Sequence, residues 1–465
     1  MGTTMKRSLW LQEIADELTP APALEGRHSV DIAILGGGFV GLWTALRIRE
    51  LAPEKTVAIL EQDICGGGAS GRNGGFVMSW WPKISSLTAL CGREEALRLA
   101  RASVQAIDEV EGFCQAHGID AHFRRAGWLW TATSEAQRGA WEGVRRTCGQ
   151  LGEQVFSPLD SADVARRSGS SRHLEGVLEA SNATVQPARL VRGLRRVALE
   201  QGVRIFENSR VSKMEPGQPT RLHTEHGQLQ AQRVVLATNA WAAELPELRR
   251  SLLPVSSTII ATAPIPQRLQ EIGWTGGEAI TDSQLMVDYY RTTRDGRIVF
   301  GKGTGLMSFA SRVGQRYDQL PQLHAEVEAD FRRTYPQLAD VAIEHSWSGP
   351  IDRTYDSLPI FGQLKSCPGV VYGLGWSGNG VGPSRLGGRI LASLALGLDD
   401  AWSHCGLVNR PVRHFPPEPL RYCGGQLVRN AVQRKERAEA QGRAPSWLDR
   451  SLASLAPSGL EDKAI

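Results

Sequence analysis

The residues most able to do chemistry here are glycines, because of what surrounds them. Gly36-Gly37-Gly38-Phe39-Val40-Gly41 satisfies G-x-G-x-x-G. The run follows an apolar stretch, Val30 to Leu35, and opens an amphipathic one, Val40 to Leu51. Gly36 makes a tight turn, Gly38 lets backbone approach a pyrophosphate, and Gly41 lets helix pack on strand. A helix start also offers free N–H groups and partial positive charge to phosphates. Phe39 and Val40 belong to that first turn. Glu61 ends the next apolar run, 20 residues after Gly41, where an acid grips ribose hydroxyls; Gln62 follows it. A dinucleotide site is the expected reading. Glu61 would repel a 2′-phosphate, which disfavours NADP, but the motif alone does not separate NAD from FAD.

Two later segments turn the choice to FAD. Gly66 to Phe76 holds six glycines in eleven residues, with Ala69, Ser70, Arg72, Asn73, Gly74 and Gly75 among them. That many glycines implies backbone running against a flat ligand, with Arg72 within reach of a phosphate. Gly373 to Pro383 is a second glycine run aimed at a helix start, and contains Gly375, Trp376, Gly378, Asn379, Gly380 and Val381. A helix start beside a flavin ring stabilises its anionic reduced form.

The elements that must position these loops read as α/β. Val30 to Leu35, helix to Leu51 and strand Thr56 to Leu60 make a βαβ start, so a parallel sheet is expected. Val203 to Phe206 and Arg233 to Ala237 continue it. Between 254 and 303 the pattern turns to short strands with turn residues such as Asp295-Gly296, the mark of an inserted antiparallel sheet. The expected fold is a Rossmann-like domain with a second, antiparallel-sheet domain. The boundaries are a polar N-terminal arm, 1–27; a discontinuous cofactor domain, 28–85, 170–245 and 340–400; a substrate domain, 86–169 and 246–339; and a basic appendage, 401–465.

Composition narrows the function further. The formal net charge of +4, from 53 basic and 49 acidic side chains, offers no basis for nucleic-acid binding. Nine basic and four acidic side chains lie between 409 and 450, so the excess belongs to the appendage. A solvated helix is the expected state of that segment. No run of about 18 apolar residues offers a membrane span. Seven scattered cysteines without a C-x-x-C pair, and a start lacking a secretory apolar stretch, point to a cytoplasmic protein without structural zinc.

Together these segments resemble the D-amino-acid-oxidase family of FAD oxidoreductases, which includes glycine and sarcosine oxidases. The resemblance runs from about Asp31 to Leu396. It includes Gln186-Pro187, Val203 to Val211, Ala237-Thr238-Asn239-Ala240-Trp241, Arg291 to Gly301, Ser346 to Pro350 and Asp356 to Gly362. The GGASGRNGG run at 67–75 and Phe415 to Leu420 are most similar to the γ-glutamylputrescine oxidoreductase branch. The resemblance implies an enzyme oxidising the C–N bond of a small amine, with dioxygen the common acceptor. It adds Val211, Ala237, Thr238, Trp241 and Gly349 to the cofactor contacts. It implies a monomer or small homo-oligomer.

Two departures bear on the substrate. Glycine-oxidase-like members place a carboxylate-binding Arg where this chain has Ile351, with Arg353 two residues on. Sarcosine-oxidase-like members attach flavin through a Cys near Gly349, so FAD is expected to be non-covalent here. The substrate candidates are Tyr290, Arg291 and Lys302 on the inserted sheet, beside Asp288 and Tyr289, with Trp80 and Trp376 as aromatic walls. Strand alternation puts Tyr290 and Asp288 on one face and Tyr289 and Arg291 on the other. No side chain beyond the flavin is required for catalysis; His345 and Trp376 are the candidates. An amine with a distal anion, a γ-glutamylputrescine or an aminophosphonate, suits such a site. The alternatives are a sarcosine-, glycine- or D-amino-acid-type oxidase, and an NAD-dependent dehydrogenase.

Overall fold

The strand Val57–Leu60 is buried along its whole length, and Gly26–Leu35 is buried over its second half. Strands apolar on both faces belong in the centre of a parallel sheet covered by helices. In the computed structural model, which describes residues 6–314, 317 and 321–459, they do so. Gly26–Leu35 pairs in parallel with Val57–Leu60 on one side and Gly227–Leu236 on the other. The order across this sheet is 360–364, 367–374, 227–236, 26–35, 57–60, 204–206. Helices Phe39–Leu51, Pro187–Glu200 and Pro383–Leu396 cover it.

A second sheet runs 343–353, 253–262, 298–302, 288–292, 279–281, 128–132, 175–179, 156–159. All its pairs are antiparallel except 279–281 with 128–132. Helix Pro321–Thr334 packs on one face. Phe300, Tyr290, Tyr335 and Trp274 fill that side, with Tyr290 and Phe300 stacked at 4.7 Å.

Pairing moves two segments from where sequence placed them. Glu175–Glu179 and Ile343–Arg353, read with the cofactor domain, both lie in the second sheet. The chain crosses between sheets several times, and sequence periodicity does not say which sheet a strand joins.

The two ends also differ from expectation. The polar arm contains a short helix, Leu9–Gln12, capped by the Ser8 hydroxyl. Leu9, Trp10 and Leu11 are buried. Trp10 packs edge-on against Trp347 at 6.0 Å, and its indole N–H donates to the Asn73 carbonyl at 2.8 Å. The C-terminal helix Leu420–Ala440 is not a solvated rod. Its Glu436 is buried and accepts the N–H groups of Leu285 (2.8 Å) and Met286 (3.1 Å). Arg429 donates to the Thr304 carbonyl at 2.8 Å. The basic side chains hid an element that grips the second sheet. Among the described residues no helix is long and apolar enough to cross a membrane.

Candidate active site

The site is built at the carboxyl ends of the parallel strands, where open α/β sheets bind ligands. Gly36 takes φ +109°, a conformation that favours glycine. A Cβ there would meet the Ala237 carbonyl at 2.5 Å, so the turn is closed against the neighbouring strand. A Cβ on Gly41 would sit 2.0 Å from the Gly36 carbonyl, which confirms tight helix-to-turn packing. Helix Phe39–Leu51 starts at Gly38 with no side-chain cap. The Ser70 hydroxyl accepts the Phe39 N–H at 2.9 Å, which joins the two glycine loops.

One cavity of about 550 Å³ runs from this turn to the second sheet. Of the expected cofactor residues, Gly36, Gly38, Phe39, Val40, Glu61, Gln62, Ala69, Ser70, Arg72, Asn73 and Gly74 line it. So do Val211, Ala237, Thr238, Trp241, Gly349, Gly378, Asn379, Gly380 and Val381. Gly41, Gly75 and Gly375 do not; they stand behind the lining as packing and turn residues. Gly75, at φ +77°, has no room for a Cβ beside the Val185 carbonyl.

Glu61 is held by the N–H of Gly37 at 2.8 Å and of Asp63 at 3.0 Å. Burial pushes its carboxyl up to about 7 against the pull of those donors, and nearby Asp63 and Glu207 add to the rise. Arg72, expected to reach a phosphate, instead donates to the carbonyls of Gly67 (2.8 Å), Lys6 and Ser348 (3.3 Å). It is almost wholly buried and shapes its loop.

The substrate candidates are corrected by strand pleating. Tyr290 and Lys302 face away from the cavity. The Tyr290 hydroxyl meets His173 Nε2 at 2.5 Å, and Lys302 bridges Asp288 (3.0 Å) and Asp330 (2.8 Å). Asp288 and Lys302 are direct partners in the hairpin, so the lysine's charge is spent on its neighbour. Arg291 is on the cavity side, but its Nε donates to the Gly74 carbonyl at 2.9 Å and an Nη to Val185 at 2.5 Å. It braces the glycine loop from behind and lies over the Trp10 ring at 5.0 Å. Trp80 is in the core and His345 is half-buried on the strand 343–353, both outside the cavity. Burial first, and Arg297 second, lower the His345 pKa. Trp376 does line the cavity.

Tyr289, expected on the face shared with Arg291, does line the cavity, as does Ile351, whereas Ile259, Val287 and Asp352 were not singled out from the sequence. Tyr289 lies across Gly301, where a Cβ would meet its ring at 2.2 Å, and its hydroxyl pairs with Ser257 at 2.7 Å. Ile259, Val287 and Ile351 add apolar wall. Asp352 is buried, accepting from the N–H groups of Gly375 (2.6 Å) and Trp376 (3.0 Å) and from Asn239 Nδ2 (3.0 Å). Burial raises its carboxyl to about 7, opposed by those N–H donors. The signal available was a carboxylate ending a strand two residues before a turn; no motif marks it.

The cradle fits a dinucleotide-sized cofactor. Its glycine turns leave no room for side chains, the helix start is uncapped, and the Oδ1 atoms of Asn239 and Asn379 are buried without a protein partner among the described residues.

Comparison with known proteins agrees. Residues 31–394 match the family model described as DAO, FAD dependent oxidoreductase, and the chain belongs to that family. It is 30% identical over 390 residues to a probable oxidoreductase, OrdL, of Haemophilus influenzae, covering 82% of this chain and 86% of the relative. It is 28% identical over 418 residues to the γ-glutamylputrescine oxidoreductase of Escherichia coli, covering 89% and 93%. The crystal structure of glycine oxidase from Geobacillus kaustophilus shares the fold, with TM-score 0.66 at 21% identity over 80% of this chain and 96% of that one. The protein is thus an FAD-dependent oxidoreductase with amine and amino-acid oxidases among its homologues.

Proposed function

We propose that the enzyme oxidises the C–N bond of a primary or secondary amine that carries an anionic group remote from the reacting carbon. The carrying observation is a cavity that joins the glycine cradle to an apolar chamber walled by Tyr289, Ile259, Ile351 and Trp376. In this reading Gly36 to Val40 and Ser70 receive the pyrophosphate. Glu61 and Gln62 hold the ribose, and Asn73, Gly74 and Ser377 to Val381 line the ring. Non-covalent attachment is supported by the absence of any lining cysteine among the described residues.

Bound FAD would supply a two-electron acceptor for hydride from the amine's α-carbon. The chain's own part is positioning and water exclusion. Apolar walls favour the neutral amine, whose lone pair assists hydride loss, over the ammonium. The Tyr289 hydroxyl, paired with Ser257, is pushed by burial further toward its neutral form and serves as a hydrogen-bond group rather than a base. The amine nitrogen sheds a proton, and water hydrolyses the imine to an aldehyde or ketone plus ammonia or a smaller amine. Dioxygen, taking two electrons and two protons, leaves as hydrogen peroxide.

An α-amino acid held by its carboxylate fits less well. Ile351 offers no cation, and its Cδ1 lies 3.6 Å from where a Cβ on Gly378 would be. The 28% identity to a γ-glutamylputrescine oxidoreductase supports the remote-anion substrate. The test is a panel of γ-glutamylputrescine, 2-aminoethylphosphonate, sarcosine, glycine and D-alanine, assayed for carbonyl product and peroxide. Preference for the first two is expected. Preference for the amino acids would overturn the substrate reading, and NAD-linked turnover would overturn the amine-oxidase reading itself.

A further inference from the structure

With Arg291 and Lys302 committed elsewhere, the proposed substrate lacks its anion partner. Among the described residues four basic side chains line the cavity: Arg72, Arg210, Lys213 and Arg353. Arg72 is consumed by carbonyls. Arg210 faces Glu244 at 3.6 Å and Lys213 meets Glu215 at 2.6 Å, both exposed. Arg353 differs from all three. Burial lowers its pKa to about 10, and no carboxylate contributes to its environment. Its Nε is buried without a hydrogen-bond partner. Its one protein acceptor among the described residues is the Ser458 carbonyl, 3.1 Å from Nη1.

A half-buried guanidinium whose Nε is unpaired and which has no anion beside it is costly. It persists where a ligand supplies the missing charge. We propose that Arg353 binds the anionic end of the substrate, a carboxylate or phosphonate, and so sets specificity. The inference rests on the amine-oxidation reading for what the anion is attached to. Position supports it. Arg353 ends the strand Ile343–Arg353 beside the late glycine loop: the next residue, Thr354, donates its N–H to Ser377 Oγ at 3.1 Å. The phosphate-binding helix start at Gly38 belongs to other elements. Asp352 is turned to the opposite face by the pleat and is occupied by the Gly375 and Trp376 N–H groups.

The orienting carbonyl is itself fixed. The Ser458 carbonyl also accepts the Ser357 hydroxyl at 2.8 Å, and the Ser458 N–H donates to the Tyr355 carbonyl at 3.0 Å. Ser458 lies beyond residues 31–394, so the C-terminal segment contributes to a site whose other parts are in the family region. It holds Nη1 and so fixes how the guanidinium stands at the cavity wall.

The test is titration of the FAD-loaded enzyme with glutarate, read by perturbation of the flavin absorption band. Glutarate is not turned over, so the result is independent of whether the amine reading holds. Saturable perturbation by glutarate is expected, weakened roughly ten- to hundredfold by Arg353→Met, as for loss of a charged hydrogen-bonded pair. Arg353→Gln, nearer in shape, is the second variant should the first not fold, and is expected to weaken binding to a similar degree. The proposal is overturned by equal glutarate affinity in wild type and variants, by no response in wild type, or by loss of FAD from a folded variant, which would assign the charge to the cofactor.

Discussion

The Asp352 carboxylate accepts the Gly375 backbone N–H at 2.6 Å, bridging the last strand of the second sheet to the start of the late glycine loop. The same carboxylate takes the Trp376 N–H at 3.0 Å. One buried acid therefore fixes the loop that carries Trp376 to Val381 along the cavity.

Asp352→Ala is expected to leave two buried N–H groups unpaired and cost about 2–6 kcal/mol, as each such group costs about 1–3 kcal/mol. The pH sign follows from the raised carboxyl. Its folded value of about 7 lies above its ordinary value of 3.8, so the folded chain holds a proton that the unfolded chain releases. The stabilising contribution is complete below about pH 4 and lost as pH rises through 7. Thermal melts of the FAD-free protein should show wild type losing ground to Asp352→Asn between pH 5 and 8. A constant gap between the two would refute this.

Glu61 gives a second pH signature. Its carboxyl is raised to about 7 by burial, and ribose hydroxyls donating to it would favour the anion. Binding should then release a proton below pH 7. FAD affinity is expected to rise from pH 5 to 7 and level off above, and Glu61→Gln should flatten that slope while weakening binding. Fluorescence titration of the FAD-free protein at several pH values measures it.

Glycine substitutions separate two kinds of crowding. A Cβ on Gly71 would lie 2.3 Å from the Gly66 carbonyl, which is backbone and cannot yield. A Cβ on Gly38 would lie 2.8 Å from the Ser70 hydroxyl, which can rotate. Gly71→Val should abolish FAD retention, and Gly38→Ala should weaken it less severely. Flavin content after purification, read from the visible spectrum, decides between this order and its reverse.

Arg291→Ala is expected to act through the loop it braces. Losing donors to Gly74 and Val185 should lower stability by about 1.5–3 kcal/mol, the range for charged hydrogen bonds. The ratio of Michaelis constants for an acidic amine and its neutral analogue should not change. A shifted ratio would return Arg291 to the anchor role that its charge and strand position suggested.

How far the sequence could be read follows from these residues. The cradle was legible because G-x-G-x-x-G and Glu61 work through local backbone, at fixed spacing from each other. The inserted sheet was legible as strands, and alternation correctly separated Tyr289 and Arg291 from Tyr290 and Asp288. Which face met the cavity was not, because that depends on Pro321–Thr334 covering the other side. Lys302 and Arg291 looked free because their partners, Asp288 and Asp330 for the lysine and the Gly74 and Val185 carbonyls for the arginine, lie 14 to 217 residues away. Leu9 to Leu11 and Glu436 were lost in polar surroundings, since burial of a short segment depends on a surface made elsewhere.

In the proposed reaction an amine delivers its electrons to FAD in this cavity. Anaerobic mixing of the purified protein with γ-glutamylputrescine or 2-aminoethylphosphonate tests it most directly. Bleaching of the visible flavin band by at least one of them, reversed by air with formation of peroxide, is the predicted result. A band that no amine bleaches, but that NADH does, would contradict it.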